Sequence, residues 1–113
     1  MRLSHETATL AFGAALSRVL PNGSVVYLHG ELGCGKTTLV RGLLHTAGWT
    51  GRVRSPTYTL LESYPLAPVH YLHLDLYRLN DAEELEYLGL RDWLALQPIW
   101  LIEWPERGLG VLP

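Results

Sequence analysis

Apolar residues along this chain fall into segments of two spacings, one helical and one strand-like. From about Ser4 to about Val19 the apolar positions Ala8, Leu10, Ala11, Phe12, Ala15, Leu16 and Val19 form one broad face, which stops at the turn Pro21-Asn22-Gly23. Ser4 is the expected cap of that helix. Gly13 interrupts it at a cost of about 1 kcal/mol relative to alanine, which close packing against another helix, or approach to a nucleotide base, would explain, the first being favoured. The run Ser24-Val25-Val26-Tyr27-Leu28-His29 predicts a buried strand, and Thr37 to Leu44 predicts a helix that stops at Gly48. Further strands are predicted near Val53, over Thr59 to Tyr64, over Val69 to Asp75 and over Ile99 to Glu103, with Pro65 and Pro68 bracketing a turn. Another helix is expected to start at Asn80 or Asp81, with Glu83 or Glu84 completing a capping box, and to end at Gly89. Strands alternating with helices imply an α/β domain with a mostly parallel sheet, and no repeat, low-complexity tract or linker divides residues 1–113.

Between the first strand and the following helix lies Gly30-Glu31-Leu32-Gly33-Cys34-Gly35-Lys36-Thr37-Thr38, which fits the phosphate-binding pattern G-x-x-x-x-G-K-[ST]. Its glycines allow successive N–H groups to turn inward as an anion-binding nest, and the helix that follows adds its dipole. Lys36 is the only lysine, the other eight basic residues being arginine. A compact ammonium threads between phosphates where a planar guanidinium fits poorly. The segment therefore predicts nucleoside triphosphate binding, with Gly30, Gly33, Cys34, Gly35, Lys36, Thr37 and Thr38 around the phosphates.

Two apolar runs end in a carboxylate, Asp75 and Glu103, and open α/β sheets bind ligands at the carboxyl ends of their strands. Triphosphate hydrolysis needs the P-loop hydroxyl, here Thr37, and an acidic residue to hold Mg²⁺, while another group orients the attacking water. Lys36, Asp75 and Glu103 are thus the candidate catalytic groups, and Thr37, Glu103 and Asp75 the candidate metal ligands. The residues alone leave open which carboxylate takes the metal.

A formal charge of -2 and the lack of a Lys/Arg run argue against stand-alone, charge-driven nucleic-acid binding, so any RNA link is expected to be indirect. One cysteine excludes an internal disulfide, and without a signal peptide or an apolar stretch of about 20 residues the expected location is the cytosol, with no membrane contact. His29, His45, His70 and His73 lack the spacing of a zinc site and are expected to be structural or at the surface. Trp93 and Trp100 read as core, and Arg52, Arg54 and Arg78 as solvated or in contact with phosphate, a partner or RNA. A nucleoside-type small-molecule kinase shares the phosphate-loop physics, but it needs an arginine-rich lid and a second pocket that this length barely permits. A regulatory GTPase is excluded by the missing D-x-x-G and [NT]-K-x-D motifs, the latter impossible when Lys36 is the only lysine.

The blocks Gly30 to Thr38, Ser55-Pro56-Thr57-Tyr58, His73-Leu74-Asp75-Leu76-Tyr77-Arg78, Glu84-Leu85 with Gly89, Ile102-Glu103-Trp104-Pro105-Glu106 and Leu112-Pro113 closely resemble the TsaE (YjeE) family of bacterial P-loop ATPases. The resemblance implies a P-loop NTPase-like three-layer sandwich and a small cytosolic ATPase, with ATP and Mg²⁺ as cofactors. It further implies a role in making the threonylcarbamoyl modification on the adenosine beside the anticodon of tRNA, together with the partner proteins TsaB and TsaD. Carried over by motif, Lys36 and Thr37 would hold phosphate and metal, the Ser55-Pro56-Thr57 segment resembles a switch loop that senses the γ-phosphate, with Thr57 a candidate for binding the nucleotide, and Glu103 is favoured over Asp75 on Mg²⁺. Two departures stand out: Cys34 where the family commonly has alanine, and a chain that stops at Leu112-Pro113 where the family usually continues, so that C-terminal strands are expected to be missing.

Overall fold

The computed structural model describes residues 6–28, 36–54, 56, 59–108 and 112. Along them run α1 (Glu6–Ser17), β1 (Val25–Leu28), α2 (Lys36–Ala47), β2 (Leu61–Leu66), β3 (Val69–Asp75), a 3-10 helix (Ala82–Leu88), α3 (Leu90–Leu94), β4 (Ile99–Glu103) and a short 3-10 turn (Pro105–Gly108). The strands form one sheet in the order β1-β4-β3-β2. β4 is parallel to both β1 and β3, and only β2 runs antiparallel to its neighbour β3. The α/β, mostly parallel expectation therefore holds.

Side chains alternate across a strand, so each strand serves two cores. Leu72, Leu74, Trp100 and Ile102 point to one face, where Leu85 and Leu90 from the helical segments after β3 cover them and Trp93 packs alongside. Tyr71, Ile99 and Leu101 point to the other, against Val40, Leu43 and Leu44 of α2. α1 lies on α2, and Gly13 is the reason it can lie so close. A Cβ there would collide with the Leu39 carbonyl oxygen and come within 2.9 Å of the Leu43 nitrogen. Close helix packing is thus the role of that glycine.

Several boundaries differ from expectation. Val19 lies beyond α1 and is 71% exposed, while Ser4 falls outside the described residues. β1 is only half-buried, since Val25 and Tyr27 stay exposed on the face whose helical cover lies over β3 and β4. Val53 lies in no strand: the Tyr64 hydroxyl receives the Arg54 amide at 3.0 Å and donates to the Arg54 carbonyl at 3.3 Å, replacing ladder bonds. β2 starts after Leu60, whose φ of 67° breaks an extended chain, and it runs through Pro65 to Leu66. Pro65 therefore belongs to the strand, tolerable because β2 is an edge strand, and the turn is at Ala67–Pro68. The helix at Asp81 forms with the expected ends, the Asp81 side chain accepting from the Glu83 amide and Gly89 closing it at φ 75°, but as a 3-10 helix. Leu85 and Leu88, three apart, then stack on one side against the core. No helix among the described residues is long and apolar enough to cross a membrane.

Candidate functional site

The parallel register sets the site. Leu28 of β1 pairs with Glu103 of β4, and Glu103 pairs with Asp75 of β3, so the carboxyl ends of three adjacent strands form one row. Residues paired across strands point to the same face. Asp75 and Glu103 lie two residues beyond His73 and Leu101 respectively, so they share the face that α2 covers. The last residue of β1 is Leu28 and the first residue of α2 is Lys36. Gly30, Gly33, Cys34 and Gly35 lie in that interval and, with Thr57, outside the described residues. Lys36, Thr37 and Thr38 form the first turn of α2. The glycine-loop segment is thereby bounded on one side by the row that carries both carboxylates and on the other by a helix N-terminus, where free amides and the helix dipole favour anions.

Both carboxylates are nearly inaccessible, Asp75 at 2% and Glu103 at 3% exposure. Asp75 Oδ1 accepts the Tyr77 amide at 3.1 Å, which fixes its orientation at the turn after β3. Glu103 Oε2 lies 2.6 Å from His73 Nε2, in a pair whose side chains are 0% and 4% exposed. His73 Nδ1 is buried and has no hydrogen-bond partner among the described residues. Sequence spacing placed His73 only as structural or surface. Its pairing with Glu103 depends on the β3–β4 register, and the signal in the sequence is the His73-x-Asp75 alternation, which puts both on one face.

One residue of the predicted switch segment, Pro56, is tied to this row by backbone bonds. Pro56 is buried, its carbonyl accepts the Leu60 amide at 2.8 Å, and the Leu60 carbonyl accepts the Asp75 amide at 3.1 Å. On the other strand the Glu103 carbonyl accepts the Leu76 amide at 3.1 Å. Two non-glycine residues with positive φ flank the row, Leu60 at 67° and Trp104 at 58°. Such conformations cost about 1–2 kcal/mol each and persist where the surroundings over-determine them. Just past the row in sequence, the Tyr77 and Trp104 rings meet in a tilted contact with centroids 5.0 Å apart and planes 48° apart, and the Arg107 guanidinium sits 5.6 Å over the Tyr77 ring.

Other expected candidates lie elsewhere. Arg52 and Arg54 are exposed and line a cavity of about 270 Å³ with Trp49, Glu62, Ser63 and Tyr64, a lining that contains neither Asp75 nor Glu103. Arg78 is exposed just past β3. His70 is 2.8 Å from the Ser63 hydroxyl and packs on Trp93, and burial pushes its pKa below the usual value. Trp100 is core as expected, while Trp93 is only partly buried.

The family model "Threonylcarbamoyl adenosine biosynthesis protein TsaE" matches residues 3–113. A Haemophilus influenzae relative, a tRNA threonylcarbamoyladenosine biosynthesis protein TsaE, is 49% identical over 113 residues, covering 96% of this chain and 72% of its own. A relative of the same description from Synechocystis is 42% identical, covering 88% of this chain and 66% of its own. In the crystal structure of Bacillus subtilis YdiB the fold recurs over 100% of this chain and 68% of that one, with a TM-score of 0.79 and 28% identity. A phosphate-loop pattern between β1 and α2, two buried strand-end carboxylates in one row, and a match over almost the whole sequence together show that this chain belongs to the TsaE family.

Proposed function

We propose that this chain binds and hydrolyses Mg-ATP in support of threonylcarbamoylation of the adenosine beside the tRNA anticodon, acting in an assembly with TsaB and TsaD. The observation that carries this reading is the row in which the end of β1, Glu103 and Asp75 stand side by side on the α2 face. The glycine loop starts from that row, so phosphates cradled there would face both carboxylates. The donor set suits the cation: Mg²⁺ takes oxygen ligands and is commonly held by one or two carboxylates together with substrate phosphates rather than by a protein cage. No group of three His, Cys, Asp or Glu able to hold a metal occurs among the described residues. Thr37 and Glu103 would hold Mg²⁺, which when bound would neutralise charge building on the phosphate oxygens.

Lys36 would bind the β- and γ-phosphates. Asp75, oriented by the Tyr77 amide, would place the attacking water. Burial of both carboxylates excludes bulk water and strengthens their interaction with a cation. Pro56 is tied to Asp75 through the Leu60 backbone, and Thr57, next to it in sequence, would report the γ-phosphate to a partner. The names of the relatives and the family support the tRNA pathway, and the net charge of -2 supports an indirect contact with tRNA through the assembly.

The test is ATP turnover by the chain alone and with TsaB, TsaD and tRNA, with modified adenosine measured in parallel. Turnover and modification that require the partners support the proposal. Phosphate transfer to a small metabolite without partners would replace it with the kinase reading. Lys36→Ala is expected to abolish tight ATP binding in a calorimetric titration, and GTP is expected to bind more weakly than ATP.

A further inference from the structure

We propose that His73 is a positioning residue for the nucleotide site: its imidazole holds the Glu103 carboxylate in the orientation that the Mg²⁺-dependent chemistry needs. This rests on the reading above. His73 Nε2 and Glu103 Oε2 are 2.6 Å apart, a distance that requires one proton between them. A carboxylate only accepts, so Nε2–H donates and the imidazole carries its proton there. The side chains are 0% and 4% exposed, so no water competes for the bond. His73 Nε2 is therefore a donor aimed at one carboxylate oxygen, and Nδ1 has no hydrogen-bond partner among the described residues.

The surroundings fit no simpler role. Tyr71, Ile99 and Leu101 on the same face are core side chains packed against α2, and a leucine at position 73 would continue that pattern at no polar cost. A histidine with one nitrogen left without a hydrogen bond is a poor core filler, since a buried unsatisfied polar atom costs about 1–3 kcal/mol. What it supplies is direction. A glutamate has three rotatable bonds, and Glu103 stands beside Leu28, the last described residue before the glycine-loop segment. Hydrogen bonds from a neighbour to a ligating carboxylate are a general way of fixing it, and their loss weakens metal affinity or activity about 10–100-fold.

The experiment compares amides of different reach. In His73→Gln the side-chain NH₂ extends to the position of Nε2 and can donate to Glu103, whereas in His73→Asn it stops near Nδ1 and cannot. His73→Leu fills the space with no donor. Mg²⁺ affinity, titrated calorimetrically with a non-hydrolysable ATP analogue, and single-turnover cleavage are measured for these three, for wild type and for Glu103→Gln, with Tm recorded alongside. The expected result is that His73→Asn and His73→Leu reproduce the Glu103→Gln defect at about tenfold or more, while His73→Gln recovers most of it. A merely structural histidine would lower Tm and leave Mg²⁺ affinity and cleavage alone, which overturns the inference. Equal losses in the Gln and Asn variants overturn it too. If Glu103→Gln itself changes neither quantity, the role of Glu103 in the proposed function fails first and the inference falls with it. Should His73→Leu not fold, the Gln and Asn pair decides.

Discussion

At Gly13 a single methyl group would meet backbone, and backbone cannot turn aside as a side chain can. Alanine is favoured over glycine in a helix by about 1 kcal/mol, so on an open helix Gly13→Ala would stabilise. Here the added Cβ meets the Leu39 carbonyl and the Leu43 nitrogen, forcing α1 off α2, and the expected outcome is a net loss of about 1–3 kcal/mol, read as a lower Tm. Glu103→Gln and Asp75→Asn are expected to separate two functions: the first weakens Mg²⁺-dependent nucleotide binding, the second keeps the Tyr77 bond and binding but slows single-turnover cleavage. His70 gives a pH dependence. Burial disfavours its imidazolium, so its folded pKa lies below the unfolded value of 6.5, and the unfolded chain takes up the proton first as pH falls. Its contribution is intact above that value and is lost as pH drops below it. Tm measured from pH 7 to 5 should fall more steeply in wild type than in His70→Gln, by a modest amount because His70 is only half-buried.

At the scale of elements, the caps were legible and the type of turn between them was not. Asp81 and Gly89 bound the segment as their side-chain chemistry requires, and Asp81→Ala should cost about 1 kcal/mol in chemical denaturation through loss of the bond to the Glu83 amide. That the segment winds as a 3-10 helix follows from how Leu85 and Leu88 meet a sheet elsewhere in the chain, which no local pattern contains. β3 and β4 were readable because strands buried on both faces are apolar almost throughout. β2 was displaced because Pro65 reads as a breaker unless the strand is known to lie at an edge. Within the site, the glycine-loop pattern and the two strand-end carboxylates were visible from residue types alone. The His73–Glu103 pair was not, because it joins residues 30 apart that only the β3–β4 register brings together.

For the whole molecule, Arg107 is engaged by the Tyr77 ring and Arg52 and Arg54 line the cavity with Tyr64, so the proposed chemistry would draw a further positive group on the γ-phosphate from an assembly partner. Efficient phosphoryl transfer commonly gains about 10³ to 10⁵ in rate from such a group. The isolated chain is therefore expected to bind ATP well and cleave it slowly, with turnover rising when TsaB and TsaD are added, and fast cleavage unaffected by partners would contradict this. The placement of β4 also bears on how the protein is made. β4 is the last strand along the described chain, yet it lies between β1 and β3 and joins Val25 to Trp100. A growing chain leaves the ribosome N-terminus first, so α1, β1 and α2 on one side and the β2–β3 hairpin on the other emerge before the strand that bridges them. Until residues 99–103 appear, β1 and β3 each lack their ladder partner, and the two parts meet through α2 packing on Tyr64 and Tyr71. Because Glu103 is the last residue of that strand, sheet closure and alignment of the carboxylates happen together, and an interrupted product has neither.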